Sequence, residues 1–219
     1  MPFDFLKGQS AARIEAIETK VREMLQHDRH EVDLAMSVLL GDLAPEAANE
    51  ELRSRDRKVN AAEMEIRRAL VVHASVFGNI EIPTVLLYMS IVKDIERVGD
   101  YAKNLIDLAL DGVTLEYAPD LPEWRTLATE VSLFIGESTE AFGDRDMDRT
   151  RALCLQGERL LGVFDTRVSG LVKGADHDQS PVARALALRY LKRVVAHLLN
   201  VLSAVVMPLD RLDHLDERA

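Results

Sequence analysis

The stretch Thr84–Leu110, TVLLYMSIVKDIERVGDYAKNLIDLAL, decides the fold. Ile91, Ile95, Val98, Ala102, Leu105 and Ala109 recur at steps of three and four, the repeat of one face of an α-helix. Pro83 suits the first turn of that helix, and Asp111-Gly112 closes it. The same reading carries outward along the chain. A first helix is predicted from about Ser10 to Leu40, on Ile14, Val21, Leu25, Val32, Ala35 and Leu39, with Gly41-Asp42 breaking it. A second runs from Pro45 to Phe77 on the stripe Leu52, Val59, Ile66, Leu70 and Phe77, and Gly78-Asn79 stops it. No sustained alternation of period two competes with these helical patterns.

Val113 to Leu121 reads as a short polar linker, and three more helices follow it. They run from about Pro122 to Gly143-Asp144, from Asp146 to Lys173, and from Pro181 to Val206. Gly174 stops the fifth, and Ser180 is expected to cap the sixth. The loop Ala175-Asp176-His177-Asp178-Gln179 joins them. Pro208 prevents extension, and the acidic tail 209–219 is expected to fray.

The two sets of three helices resemble each other. Glu96-Arg97-Val98-Gly99-Asp100 through Asn104 aligns with Lys192-Arg193-Val194-Val195-Ala196 through Asn200, with Arg, Val and Asn coinciding. Asp56, Val59, Glu63 and Ile66 match Glu158, Leu161, Asp165 and Val168 in type and spacing. Long helices with short connections pack as up-down bundles. The expected fold is therefore all-α: two tandem three-helix bundles over 8–112 and 120–208, followed by the tail.

Composition bounds the function. Hydrophobic residues make up 47% and charged residues 29% of the 219 residues, a globular balance with only 5% aromatics. The formal net charge of -10 repels phosphate backbones, so nucleic acid is not an expected partner; cations or basic surfaces are. The single cysteine, Cys154, permits no intrachain disulfide and reads as a small core residue. Met1–Lys7 shows no basic segment followed by an apolar one, so no signal peptide is expected. The longest uncharged run, Val194–Leu209, is too short for a membrane span and carries His197, Asn200 and Ser203; it reads as a core helix. A cytoplasmic location fits these features.

One polar constellation stands out. Asp56, Asn60 and Glu63 share a stripe of the second helix that flanks its apolar stripe. On the third helix Glu96, Asp100, Asn104 and Asp107 share another, which the helical period places almost opposite the apolar one. Carboxylates in one register repel each other unless a cation sits among them, and oxygen-only donors suit magnesium, manganese, calcium or iron. The bland alternative is a solvated helix face, neutralised by Lys93, Arg97 and Lys103. His27 and His30, at i and i+3 beside Asp28 and Glu31, have the spacing to hold zinc or iron, but a solvated face is the expectation; His73 and His197 read as packed helical histidines. No Glu-x-x-His pair, Gly-rich phosphate loop, serine elbow or Cys-His pair is present.

Val92-Lys93-Asp94-Ile95-Glu96-Arg97-Val98-Gly99-Asp100-Tyr101-Ala102-Lys103-Asn104 resembles the signature of the PhoU family, acidic-Leu-Glu-Arg-Ile-Gly-Asp. Asp56-Arg57-Lys58-Val59-Asn60-Ala61-Ala62-Glu63-Met64-Glu65-Ile66 resembles its second motif, Asp-x-x-Val-Asn/Asp-x-x-Glu-x-x-Ile. The resemblance implies two tandem three-helix bundles whose acidic motifs hold metal ions, often iron. It implies a cytoplasmic, non-enzymatic regulator of phosphate uptake and signalling. The implied partners are the ATPase of the phosphate ABC transporter and a sensor histidine kinase, with a homodimer as a possible assembly. On this basis Asp56, Asn60, Glu63, Glu96 and Asp100 are the expected metal ligands, with Asn104 and Asp107 behind them. The ion, divalent or of iron type, is expected mainly at the first bundle.

The sequence departs from the family at Gly78–Pro83, where a Gln-Pro…Asp-Leu-Arg stretch is usual. It departs again at Lys192 and Ala196, which stand where the second half should repeat Glu96 and Asp100. A Lys192 ammonium paired with Glu158 or Asp165 would replace a cation there. Two rival functions are an interaction module without metal and a metal-dependent enzyme using the same carboxylates. The enzyme reading lacks any histidine or other base near the stripe.

Overall fold

The computed structural model describes residues 2–174 and 180–212, so the loop Ala175–Gln179 and the tail from 213 onward lie outside the described residues. Among the described residues there are six α-helices and no strand. They are α1 (Pro2–Leu39), α2 (Pro45–Phe77), α3 (Ile82–Leu110), α4 (Leu121–Asp144), α5 (Met147–Val172) and α6 (Pro181–Val206). The expected all-α fold of two three-helix halves, α1–α3 and α4–α6, is what forms.

The differences from expectation have local causes. Helix α1 starts at Pro2 rather than near Ser10, because proline is tolerated in a first turn and nothing between Phe3 and Gln9 breaks the helix strongly enough to stop it. A 3₁₀ turn over Gly78–Glu81 connects α2 to α3. Helix α4 ends at Asp144, as expected, with Arg145 in the left-handed region (φ 51°). Gly143 is a seat for a neighbour. A Cβ there would lie 2.7 Å from Cδ of Arg22, and one at Gly136 would lie 2.6 Å from Nη1 of Arg29. Two α1 arginines, seven residues apart, thus rest on two α4 glycines seven apart. Asp146 caps α5 by accepting from the backbone N–H groups of Asp148 and Arg149 (3.1 and 2.9 Å). Ser180 precedes α6 but its hydroxyl caps nothing; its backbone (φ -148°, ψ 59°) lies outside the usual extended cap geometry.

The helix stripes read from the sequence build the interior. Val21, Leu25, Val32, Ala35 and Leu39 of α1 are fully buried, as are Ile95, Val98, Ala102 and Leu105 of α3. Trp124, Phe134 and Phe164 fill the second half, and Cys154 is a buried helix residue as expected. The apolar cluster runs unbroken from Ile14 to Leu202 across both halves, because α3 packs on α6 and α1 on α4. Within the linker Leu115 is buried, and its N–H donates to the carbonyl of Leu39 at 2.7 Å, tying the connection to the end of α1.

A polar knot sits in the α3–α6 seam. Nδ1 of His197 is 2.6 Å from Oδ1 of Asp94, and Asn200 donates to the same oxygen at 3.0 Å. Nε2 of His197 lies 3.1 Å from Nη2 of Arg193, whose Nε donates to the Tyr101 hydroxyl at 3.2 Å. Guanidinium can only donate, so Nε2 accepts and Nδ1 carries the proton given to Asp94. His197 is therefore a packed, bonded seam residue, as its lone helical position suggested.

Candidate metal centre

Helices α1, α2 and α3 converge on a cluster of carboxylates. Asp28 and Glu31 project inward from α1 and are fully buried, yet none of their four carboxylate oxygens has a hydrogen-bond partner. A buried carboxylate without a donor is costly unless it is protonated or meets a cation. Gly99 of α3 makes the space for them. A Cβ at that position would stand 3.1 Å from Oδ1 of Asp28, 3.3 Å from Oε2 of Glu31 and 3.9 Å from Oδ1 of Asp56. Glycine brings the α3 backbone close to the acids, and any larger side chain would crowd them.

The expected ligands surround this buried pair to different degrees. Asp56 of α2 is nearly buried, with Oδ2 accepting from Asn60 Nδ2 at 3.2 Å and Oδ1 2.7 Å from the ammonium of Lys103. Asp100 pairs with the same ammonium at 2.8 Å. Glu96 is taken up by Lys93 at 2.6 Å, and Glu63 by Arg67 at 2.9 Å. Asp107 is engaged by Arg53, and Asn104 lines the shallow groove outside α3. The structure thus gathers Asp56, Glu96 and Asp100 around the buried pair and leaves Glu63, Asn104 and Asp107 in other pairings or on the rim. Among the described residues, no three acidic, histidine or cysteine side chains stand ready as a metal-ligand group.

The placement of the α3 stripe differs from expectation. Glu96 does not lie opposite the core; its side chain is only 12% exposed. Helix α3 is packed on α1, α2 and α6, so its buried arc is wider than one stripe, and Val92 and Gly99 extend it toward Glu96. The face carrying His27 to Glu31 is also corrected. His27 and His30 do point outward, to Arg55 (3.3 Å) and Glu51 (2.9 Å), but Asp28 and Glu31 turn into the core.

The electrostatics follow from burial and crowding. Burial, then Glu31, Asp56, Glu96 and Asp100, hold the Asp28 carboxyl well above the ordinary carboxylate range. Burial and the charge of Asp56 push Glu31 up to about 8, against the opposing pull of Lys103 and Arg55. A pocket that raises carboxyl groups in this way favours protons or a metal ion, and oxygen donors alone suit a hard cation. The residues present therefore fit the kind of ion the motifs imply.

The second half lacks this pocket. The buried positions of α4 include no carboxylate, and Lys192 reaches Asp165 at 2.5 and 2.6 Å, as the charge exchange at that position suggested. Both partners are partly exposed, so Lys192→Ala is expected to change stability by under about 1 kcal/mol. It should also leave the metal content untouched; denaturant unfolding and elemental analysis check both.

Comparison with known proteins agrees with the motifs. The family model of the PhoU domain matches residues 21–109, which span the second half of α1 and all of α2, with nearly all of α3. A curated protein of Deinococcus radiodurans, described as a phosphate-specific transport system accessory protein PhoU homolog, is 28% identical over 205 residues, covering 89% of this chain and 93% of that one. Two crystal structures share the fold. One is PhoU from Pseudomonas aeruginosa (TM-score 0.75, 19% identity, 92% of this chain and 98% of that one). The other is the phosphate transport system regulatory protein PhoU from Streptococcus pneumoniae (TM-score 0.77, 13% identity, 94% and 97%).

Proposed function

From the premise that this chain is PhoU-like, with a PhoU domain over residues 21–109, we propose that it is a metal-binding regulatory adaptor of phosphate uptake and phosphate-responsive signalling. The observation that carries the metal part is the fully buried, donor-less pair Asp28 and Glu31, ringed by Asp56, Glu96 and Asp100. Those five would hold the ion, and Asn60 would orient Asp56. Bound there, the ion supplies positive charge that ties α1, α2 and α3 together and fixes the surface they present.

The regulatory part is supported by the family match and by the D. radiodurans relative, an accessory protein of phosphate-specific transport by its description. The partner fitting this reading is a component of the phosphate transporter, its ATPase, or a sensor histidine kinase. A cytoplasmic site of action fits both, and no helix among the described residues is long and apolar enough to cross a membrane. The protein acts by binding rather than by catalysis.

The test is a phosphate-starvation reporter in a strain lacking the gene. The reading expects the reporter to lose its repression in high phosphate. The parent gene should restore it, and a Glu96→Ala, Asp100→Ala copy should restore it only in part. A reporter indifferent to the deletion would count against the regulatory role.

A further inference from the structure

The protein brings a cation of its own to the edge of the acidic cluster. Lys103 Nζ bridges Asp56 Oδ1 on α2 and Asp100 Oδ1 on α3 at 2.7 and 2.8 Å, with a side chain only 18% exposed. Three other cations nearby behave differently. Lys93 holds Glu96 within its own helix, Arg67 holds Glu63 within its own, and Arg53 crosses to Asp107 on the rim. Of these four, Lys103 is the one that touches Asp56, whose charge bears on both buried acids.

We infer that Lys103 is an internal competitor that sets which cations enter the pocket, a reading that rests on the pocket being a metal site. An entering ion must displace the ammonium from two carboxylates. A monovalent ion brings no more charge than the group it displaces and forfeits the ammonium's hydrogen bonds. A divalent or trivalent ion brings a net gain in attraction to Asp28, Glu31, Asp56, Glu96 and Asp100. Lys103 already borders the open groove outside α3, with Asp100, Asn104 and Asp107, so its ammonium has solvent to move into. This also explains why no ligand group stands preassembled: the ammonium holds Asp56 and Asp100 in ion pairs until a stronger cation arrives. Lys192 plays a related part in the second half, paired with Asp165. There α4 contributes no buried carboxylate to match Asp28 and Glu31, so less rewards its departure.

The experiment compares the metal-free full chain and its Lys103→Met variant, which keeps the length of the side chain and removes the charge. Mn²⁺ binding by equilibrium dialysis is expected to tighten by roughly tenfold or more in the variant. The variant should also lose discrimination: K⁺, set against tetramethylammonium at equal ionic strength, should weaken its Mn²⁺ binding more than it weakens the parent's. In the parent, Mn²⁺ should raise the acylation of Lys103 by an amine-reactive reagent, read by mass spectrometry, while Lys173 and Lys192 stay constant. That labelling arm needs no variant and stands even if Lys103→Met folds poorly. A variant that binds Mn²⁺ while the parent does not would support the competitor role outright. If the parent binds Mn²⁺ with Lys103 labelling unchanged and the variant gains nothing, the competitor role is overturned while the metal site stands. If neither protein binds Mn²⁺, both readings fall.

Discussion

Glu31→Gln is expected to stabilise the metal-free protein by about 3–5 kcal/mol at pH 8, an unusual gain for a change at a fully buried position. Glu31 is fully buried without a donor, and its carboxyl is pushed up to about 8. Below the ordinary glutamate range it is protonated in both the folded and unfolded chains, and no stability depends on it. As pH rises from about 4.5, the unfolded chain releases the proton while the folded chain keeps it, and folding loses about 1.4 kcal/mol per pH unit. Above about 8 the penalty is complete. Asp28 adds to it in the same direction. The amide introduced by Glu31→Gln has nearly the same shape as the carboxyl, takes no charge and brings an N–H donor beside the orphaned oxygens of Asp28. Denaturant unfolding in chelator at pH 5 and pH 8 should show the parent losing stability between them and the variant losing clearly less, the remainder coming from Asp28, which burial still holds high. A parent whose stability is flat over that range would mean that Glu31 is not buried as described. Metal binding requires the ionised carboxylates, so a saturating ion should restore the parent selectively at the higher pH.

Ile95→Asp is expected to cost roughly 3 kcal/mol or more. Ile95 is fully buried in the central helix of the first half, and α3 packs on three neighbours, so the new carboxylate would find neither water nor a partner. The loss should appear as a large drop in the melting temperature. A mutant melting with the parent would show that another face of α3 is buried.

Much of this fold was legible because α-helical stripes of Ile, Leu and Val mark the core directly, and glycine or proline marks most helix ends. What the stripes hid was the width of the buried arc on α3. A helix with one neighbour shows one stripe; α3 has three, which carries Glu96 to the edge of the interior and Asp94 into the seam with α6. Half of the candidate site was legible from the spacing of Asp56, Glu96 and Asp100. The other half, Asp28 and Glu31, was masked by the assumption that acidic residues lie outward. The signal was present: Asp28 falls midway between the core residues Val21 and Ala35, seven residues from each, and Glu31 adjoins Val32. An acid in the middle of an apolar heptad stripe has to be either protonated or partnered. The role of Gly99 could not be read from one helix, since the residues it makes room for arrive from α1 and α2.

Elemental analysis of protein purified without chelator asks whether the carboxylate cluster of α1, α2 and α3 holds a metal ion. The parent is expected to carry about one or more ions per chain, and most of that metal should be lost in Glu96→Ala, in Asp100→Ala and in the Asp28→Asn, Glu31→Gln pair, with each variant still helical by circular dichroism. A parent free of metal after growth and dialysis with manganese and iron, or variants retaining as much metal as the parent, would contradict it.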